Sequence, residues 1–144
     1  MKKNYFQVLN LSVLIVLLLS FSNAIKAQTF VGTDVSIYDT KKTDGEVLKL
    51  KKEALGSVCI LDFYDKNVKL TITKNNNAGK ETLILDKISD SKYQAIEQRG
   101  YLNGRKQYGK AVVELQKLIA YINSFTLYIY ENEKLQMTVT YKRK

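Results

Sequence analysis

The stretch SVCILDFYDKNVKLTITKNNNAGKETLILDK, Ser57 to Lys87, decides the fold class. In its middle, Val68, Leu70 and Ile72 alternate with Lys69, Thr71 and Thr73, the period-two pattern of a strand with one dry face and one wet face. Just before it, Cys59, Leu61 and Phe63 point one way while Val58 and Ile60 point the other. A strand that is apolar on both sides reads as central in its sheet and covered twice. Asp65, Lys66 and Asn67 link the two strands, and Asn75 to Gly79 form the next turn. Leu83 and Leu85 continue the dry face, with Ile84 on the second one. The segment is therefore three consecutive antiparallel strands. Their register is fixed because a one-residue slip turns Val68, Leu70 and Ile72 into water.

Upstream of this trio, Val35 and Ile37 mark a first strand within Thr29 to Asp39. Thr40 to Gly45 is a polar turn, and Val47, Leu48 and Leu50 among lysines suggest a short edge strand. Downstream, Ser89 to Ser91 turns the chain into a strand over Lys92 to Gln98. Gly100, Gly104 and Gly109 mark the following stretch as a loop or hairpin tip. Ala111, Val112, Leu115, Leu118, Ile119 and Ile122 share one arc at helical spacing, and Gln116-Lys117 interrupts strand alternation. An amphipathic helix is thus predicted over about 110–123, laid on the second face where Val58, Ile60 and Ile84 need cover. Phe125, Leu127 and Ile129, a turn at Glu131 to Glu133, and Leu135, Met137, Val139 and Tyr141 make a closing hairpin. The expected fold is mainly β: one antiparallel sheet of about seven or eight strands, barrel-like or two-layered, with that single helix packed on it.

Residues 1–27 have the layout of a cleaved Sec signal peptide, which leaves 28–144 as one small antiparallel β domain. Lys2 and Lys3 give the positive start, Val13 to Leu19 the apolar core, and Ser20 to Ala27 the stretch before cleavage. The apolar run is too short to span a bilayer, so no transmembrane segment is expected after cleavage. No cysteine lies near the cut, so the chain is not a lipoprotein. The expected location is secreted or periplasmic. The formal charge is +9, but Lys2, Lys3 and Lys26 of the leader supply three of it. The remaining charges are interspersed, which argues against nucleic acid as a partner.

Several chemistries are missing. There is no histidine and only one cysteine, Cys59, so the commonest zinc ligand is missing, and no Cys-rich metal site, no Ser–His–Asp or Cys–His nucleophile and no internal disulfide can be assembled. Cys59 reads as a small buried hydrophobe. Asp62, Asp65, Asp86, Glu97 and Glu114 could supply a pair of carboxylates for hydrolysis, but nothing in the sequence brings two of them together. Gly104 to Ala111, GRKQYGKA, is one residue short of a phosphate-binding loop, with alanine where a magnesium-binding hydroxyl belongs. In its weaker form, Arg105, Lys106 and Lys110 would sit at the start of the predicted helix as an anion site.

These absences point to a non-enzymatic binding module with no cofactor and no metal. Tyrosine is abundant, at ten residues with no tryptophan, and Tyr101 and Tyr108 fall within the glycine-rich basic stretch. Tyr101, Arg105, Tyr108 and Lys110 are therefore the candidate binding residues, toward a protein, a glycan or a small apolar ligand. A barrel-like sheet is similar in shape to lipocalin-type carriers, by analogy of shape alone. That likeness implies an internal cavity holding an apolar ligand. A third expectation is a carboxylate hydrolase of envelope or glycan polymers. Amino-terminal sequencing of protein recovered from the envelope or the medium should begin at Gln28, with Ile25 as the second choice. A membrane-bound chain retaining Met1 counts against the leader.

Overall fold

A computed structural model describes residues 27–75, 79–119 and 121–144, the side chains of 101 and 102 excepted. The expected signal peptide, residues 1–27, lies outside the described residues apart from Ala27. The strands are β1 (Gln28–Ile37), β2 (Val58–Phe63), β3 (Asn67–Thr73), β4 (Lys80–Ser89), β5 (Lys92–Leu102), β6 (Arg105–Leu118), β7 (Tyr121–Glu131) and β8 (Lys134–Arg143). One helix, α1 (Asp44–Ala54), separates β1 from β2. Each strand pairs antiparallel with the next, and β8 returns to β1, closing an eight-stranded barrel. No helix among the described residues is long and apolar enough to cross a membrane.

The central trio is where the alternation put it. Leu61 pairs with Leu70 and Leu70 with Leu83, so the dry faces of β2, β3 and β4 line the interior. The hairpin turns are short because their residues accept left-handed backbone. Asn103 (φ 51°) with Gly104 (φ 74°), and Asn132 (φ 47°) with Glu133 (φ 67°), are both positive-φ pairs, the geometry whose twist matches two paired strands. The interior is centred on aromatic rings. Phe125 stacks on Tyr141 with centroids 4.7 Å apart, and Phe30 meets Phe125 edge-on at 5.0 Å.

Three segments depart from the sequence reading. The stretch around Gly100, Gly104 and Gly109 is strand except at the Asn103-Gly104 turn, because β5 runs on to Leu102 and β6 begins at Arg105. The predicted helix over 110–123 is strand: β6 carries Ala111, Val113 and Leu115 on the inner face, paired residue by residue with β7 from Gly109↔Glu131 to Leu118↔Tyr121. The break at Gln116-Lys117 is a shift in this ladder, where β7 carries one extra residue, Asn123, rather than the end of the alternation. Val112 misled because it is only 4% exposed although it lies on the outer face, where it pairs with Tyr128 and Gln94. Ile119, counted in the helical stripe, is 97% exposed in the turn before β7. The second face of the sheet is therefore not roofed by this segment, and Ile84 stays exposed.

Conversely, the suggested edge strand at Val47 to Leu50 is the helix α1. Its start is fixed by a capping box: Thr43 Oγ1 accepts from the Glu46 N–H, and the Glu46 carboxylate accepts from the Thr43 N–H at 2.8 Å. Those hydrogen bonds hold the Glu46 carboxyl below its usual range. Asp44 and Glu46 in the first turn and Lys51 and Lys52 in the last complement the helix dipole.

The helix returns to the barrel at Gly32. The Gly32 N–H donates to the Ser57 carbonyl and the Gly56 N–H to the Gly32 carbonyl, both at 2.9 Å. A Cβ on residue 32 would stand 2.4 Å from the Ala54 carbonyl oxygen, so only glycine admits this approach. Gly32→Ala should lower stability by about 1–3 kcal/mol, the usual range for overpacking, read as a shift in the urea midpoint. Gly45→Ala, where a Cβ meets nothing within 4 Å in the first turn of α1, should instead raise it slightly.

Candidate functional site

Both ends of the barrel are concave. One end gathers α1 and the β3–β4, β5–β6 and β7–β8 turns. There the interior opens as a well of about 240 Å³. Its wall is apolar, formed by inward residues such as Ile72, Leu83, Ala95, Leu127, Ile129 and Met137. Ser57 and Tyr141 also line it, and the stacked Phe125 and the edge-on Phe30 fill the barrel beside Tyr141. The opposite end is a hollow of about 530 Å³ among polar and aromatic groups that include Tyr64, Asp65, Asp90 and Lys117. There Lys87 pairs with Asp90 at 2.7 Å and Lys117 Nζ donates to the Asp90 carbonyl.

The rim of the well is charged. Lys74 Nζ lies 2.9 Å from Glu81 and 3.4 Å from Glu53, tying β4 to α1, and the Glu81 carboxylate holds the Lys74 ammonium above its usual range. On the facing wall, Glu97 and Arg99 come from β5, with 4.0 Å between Arg99 Nε and the Glu97 carboxylate. Arg99 lies against the backbone of β6 at Gly109: a Cβ there would be 2.3 Å from Nε. Glycine inside a strand often marks such a close approach.

At the barrel's middle, Ser57 Oγ donates its only proton to the Ala54 carbonyl at 2.6 Å, so the Tyr141 hydroxyl, 3.2 Å away, donates to Ser57. Burial pushes the Tyr141 phenol up to about 12 and raises the Cys59 thiol well above its ordinary value. Cys59 is free and fully buried in the wall, as the sequence suggested.

Tyr101, Arg105, Tyr108 and Lys110 all fall on the β5–β6 hairpin at the mouth of the well, though not in it as a group. Tyr101 pairs with Lys106 in the ladder, and its side chain is outside the described residues. Arg105 is exposed beside the Asn103–Gly104 turn. Tyr108 is tied by its backbone to the β7–β8 turn: its N–H donates to Asn132 Oδ1 and its carbonyl accepts from the Asn132 N–H, both at 2.9 Å. Lys110 stands at the rim, with Nζ 4.6 Å from the centroid of the Tyr130 ring. The supposed anion site at a helix start loses its basis, because Arg105, Lys106 and Lys110 lie on a strand.

The five carboxylates are dispersed. Asp62 is paired across the sheet with Lys69, Glu114 binds Lys92 at 2.9 Å, Asp86 faces Asn67, and Asp65 lies at the far end. Of the five, Glu97 alone lines the well. No three His, Cys, Asp or Glu side chains among the described residues are placed to hold a metal ion. The groups that sequence reasoning missed are Glu53, Lys74, Glu81 and Arg99: Lys74 and Glu81 meet across the β3–β4 hairpin, Glu53 reaches them from α1, and Arg99 lines the same well from β5.

The raised Tyr141 and Cys59 values set a pH dependence. Both groups fold in the neutral form, so their contribution is complete below the ordinary values of 9.0 and 10.0 and is lost as pH rises through the folded ones. Stability should therefore fall between about pH 9 and 12 in denaturant melts. Tyr141→Phe should make that fall shallower while costing about 1 kcal/mol at neutral pH for the lost hydrogen bond. No protein-family model matches this chain, and comparison with curated proteins finds no match either.

Proposed function

We propose that this barrel is a non-enzymatic binding protein that takes the apolar part of a small ligand into the well and leaves a polar head at the rim. The observation that carries the reading is the apolar-walled cavity of about 240 Å³, open at a charged edge. Small-ligand sites have this constitution: concave, mostly apolar, with a few polar groups that fix orientation. At roughly 30 Å³ per water-sized group, the well accepts about eight non-hydrogen atoms. That is a short acyl chain or one ring system rather than a long lipid. Arg99 and Lys74 can meet an anionic head, and Glu53, Glu81 and Glu97 a cationic or hydroxylated one. The lack of histidine and the scattered carboxylates support binding without catalysis. The leader supports a secreted or periplasmic setting for this role.

Octanoate and indole-3-acetate, a short acyl chain and a single ring system each with an anionic head, are suitable probes. Titration calorimetry should show one site per chain, with octanoate displacing the indole. Ala95→Phe, which fills the well from its wall, should weaken binding by about tenfold or more with a nearly unchanged melt. Replacing Arg105 and Tyr108 with alanine should alter it much less. Failure of both probes and of a wider set of short amphiphiles to bind the folded protein sinks the reading.

A further inference from the structure

The barrel is not sealed evenly. The β4–β5 ladder consists of Asp86↔Gln94, Lys87↔Tyr93 and Ser89↔Lys92, and among the described residues it stops there. Both strands run on. β4 stays paired with β3 as far as Lys80↔Thr73, and β5 with β6 as far as Leu102↔Arg105. From Leu85 back to Lys80 and from Ala95 on to Leu102, the two strands therefore face each other without a ladder between them. The barrel is closed at one end of this seam and split at the other.

The split leads into the well. Glu81 and Leu83 on one lip, and Ala95, Glu97 and Arg99 on the other, line the cavity. The lips are apolar on the outside as well: Ile84 and Ile96 are each 62% exposed. The separation also has a local cause. The β5–β6 register shifts between Gln98 and Gly100, and Gly100 sits at φ 130°, a conformation that L side chains rarely adopt. Such a bulge bends its strand away from the line of its neighbour. The axial route into the well is partly crossed by Leu50, Glu53 and Ala54 of α1, held there by the Glu53–Lys74 pair.

We infer that the unladdered half of the β4–β5 seam is a lateral portal, through which the apolar part of a short amphiphile enters and leaves the well between Ile84 and Ile96. This rests on the binding function proposed above and adds the route to it. Exposed isoleucines on the lips give an apolar chain a continuous apolar path from the surface to Leu83 and Ala95. The charged groups at the rim, Glu97 and Arg99, then meet the head once the chain is inside.

The test bridges the lips. Ile84→Cys and Ile96→Cys, both at exposed positions, are introduced together and joined by a short bismaleimide. Cys59 stays unlabelled because it is buried, which mass spectrometry checks. The same double variant capped with N-ethylmaleimide is the reference, and equal melts for the two confirm the fold. With indole-3-acetate as the probe, read by its own fluorescence because the chain has no tryptophan, stopped-flow uptake and release should both slow by about tenfold or more in the bridged protein, while the dissociation constant stays within a few-fold of the reference, as expected when a gate rather than a site is altered. Equal rates in bridged and capped protein overturn the portal and leave the binding function standing. No uptake by the unmodified protein overturns both. Bridges that form mainly between two chains identify the lips as a strand-pairing edge and also overturn the portal.

Discussion

Closure at β1 is the constraint on which the rest of this structure depends. A strand at an open edge leaves a row of backbone groups unpaired, and a barrel removes that edge only if its first strand bonds to two neighbours. Here β1 divides the task along its length. Gln28 to Val31 pair with β2, and Phe30 to Ile37 pair with β8. The short β2 ladder is extended by the two hydrogen bonds at Gly32, made where the chain returns from α1. If that contact is lost, α1 loses its seat and the wall of the well beside Ala54 and Ser57 goes with it.

The same closure decides how much interior remains. An eight-stranded barrel is just wide enough for its own side chains to fill or for one small ligand. In this barrel the large rings of Phe30, Phe125 and Tyr141 fill the middle, and small residues such as Ala95, Ala111 and Gly109 line the end beside α1. The well is therefore a consequence of residue size along the strands: bulk where rings meet, and space where alanine and glycine take the inward positions. The Ser57–Tyr141 hydrogen bond stands at the boundary between the two.

Much of this architecture was legible in the sequence. The trio from Ser57 to Lys87, the closing hairpin and the turns at Asn103-Gly104 and Glu131 to Glu133 follow from period-two alternation and left-handed turn residues. Barrel closure does not, because alternation tells inside from outside but not which strands meet. The stretch from Lys110 to Asn123 was misread because apolar residues on both faces of one strand, with a register shift opposite a bulge in β7, imitate a helical stripe. The Thr43-Asp44-Gly45-Glu46 capping signature of α1 was present but outweighed by the lysine-flanked apolar pattern after it. At the site, the hairpin carrying Tyr101, Arg105, Tyr108 and Lys110 does border the mouth, yet alternation turns Tyr108 and Lys110 outward from Gly109 and Ala111. Arg99 one strand earlier faces the well, and Gly109 inside a strand was the available sign of it. Lys74 and Glu81 meet across the β3–β4 hairpin, and Glu53 joins them only where α1 folds back onto the barrel.

The ends of the barrel also meet. Phe30 pairs with Arg143, and the Lys144 N–H donates to the Thr29 carbonyl at 3.2 Å. Every other ladder joins strands that follow one another in the chain. The order in which the strands are threaded is therefore a circle with one arbitrary break. A short linker from Lys144 to Gln28, with new ends cut between Asp65 and Lys66, would leave all eight pairings intact. Such circular permutants would move the point of fusion around the end opposite the mouth, so that a tag or surface anchor leaves the mouth undisturbed.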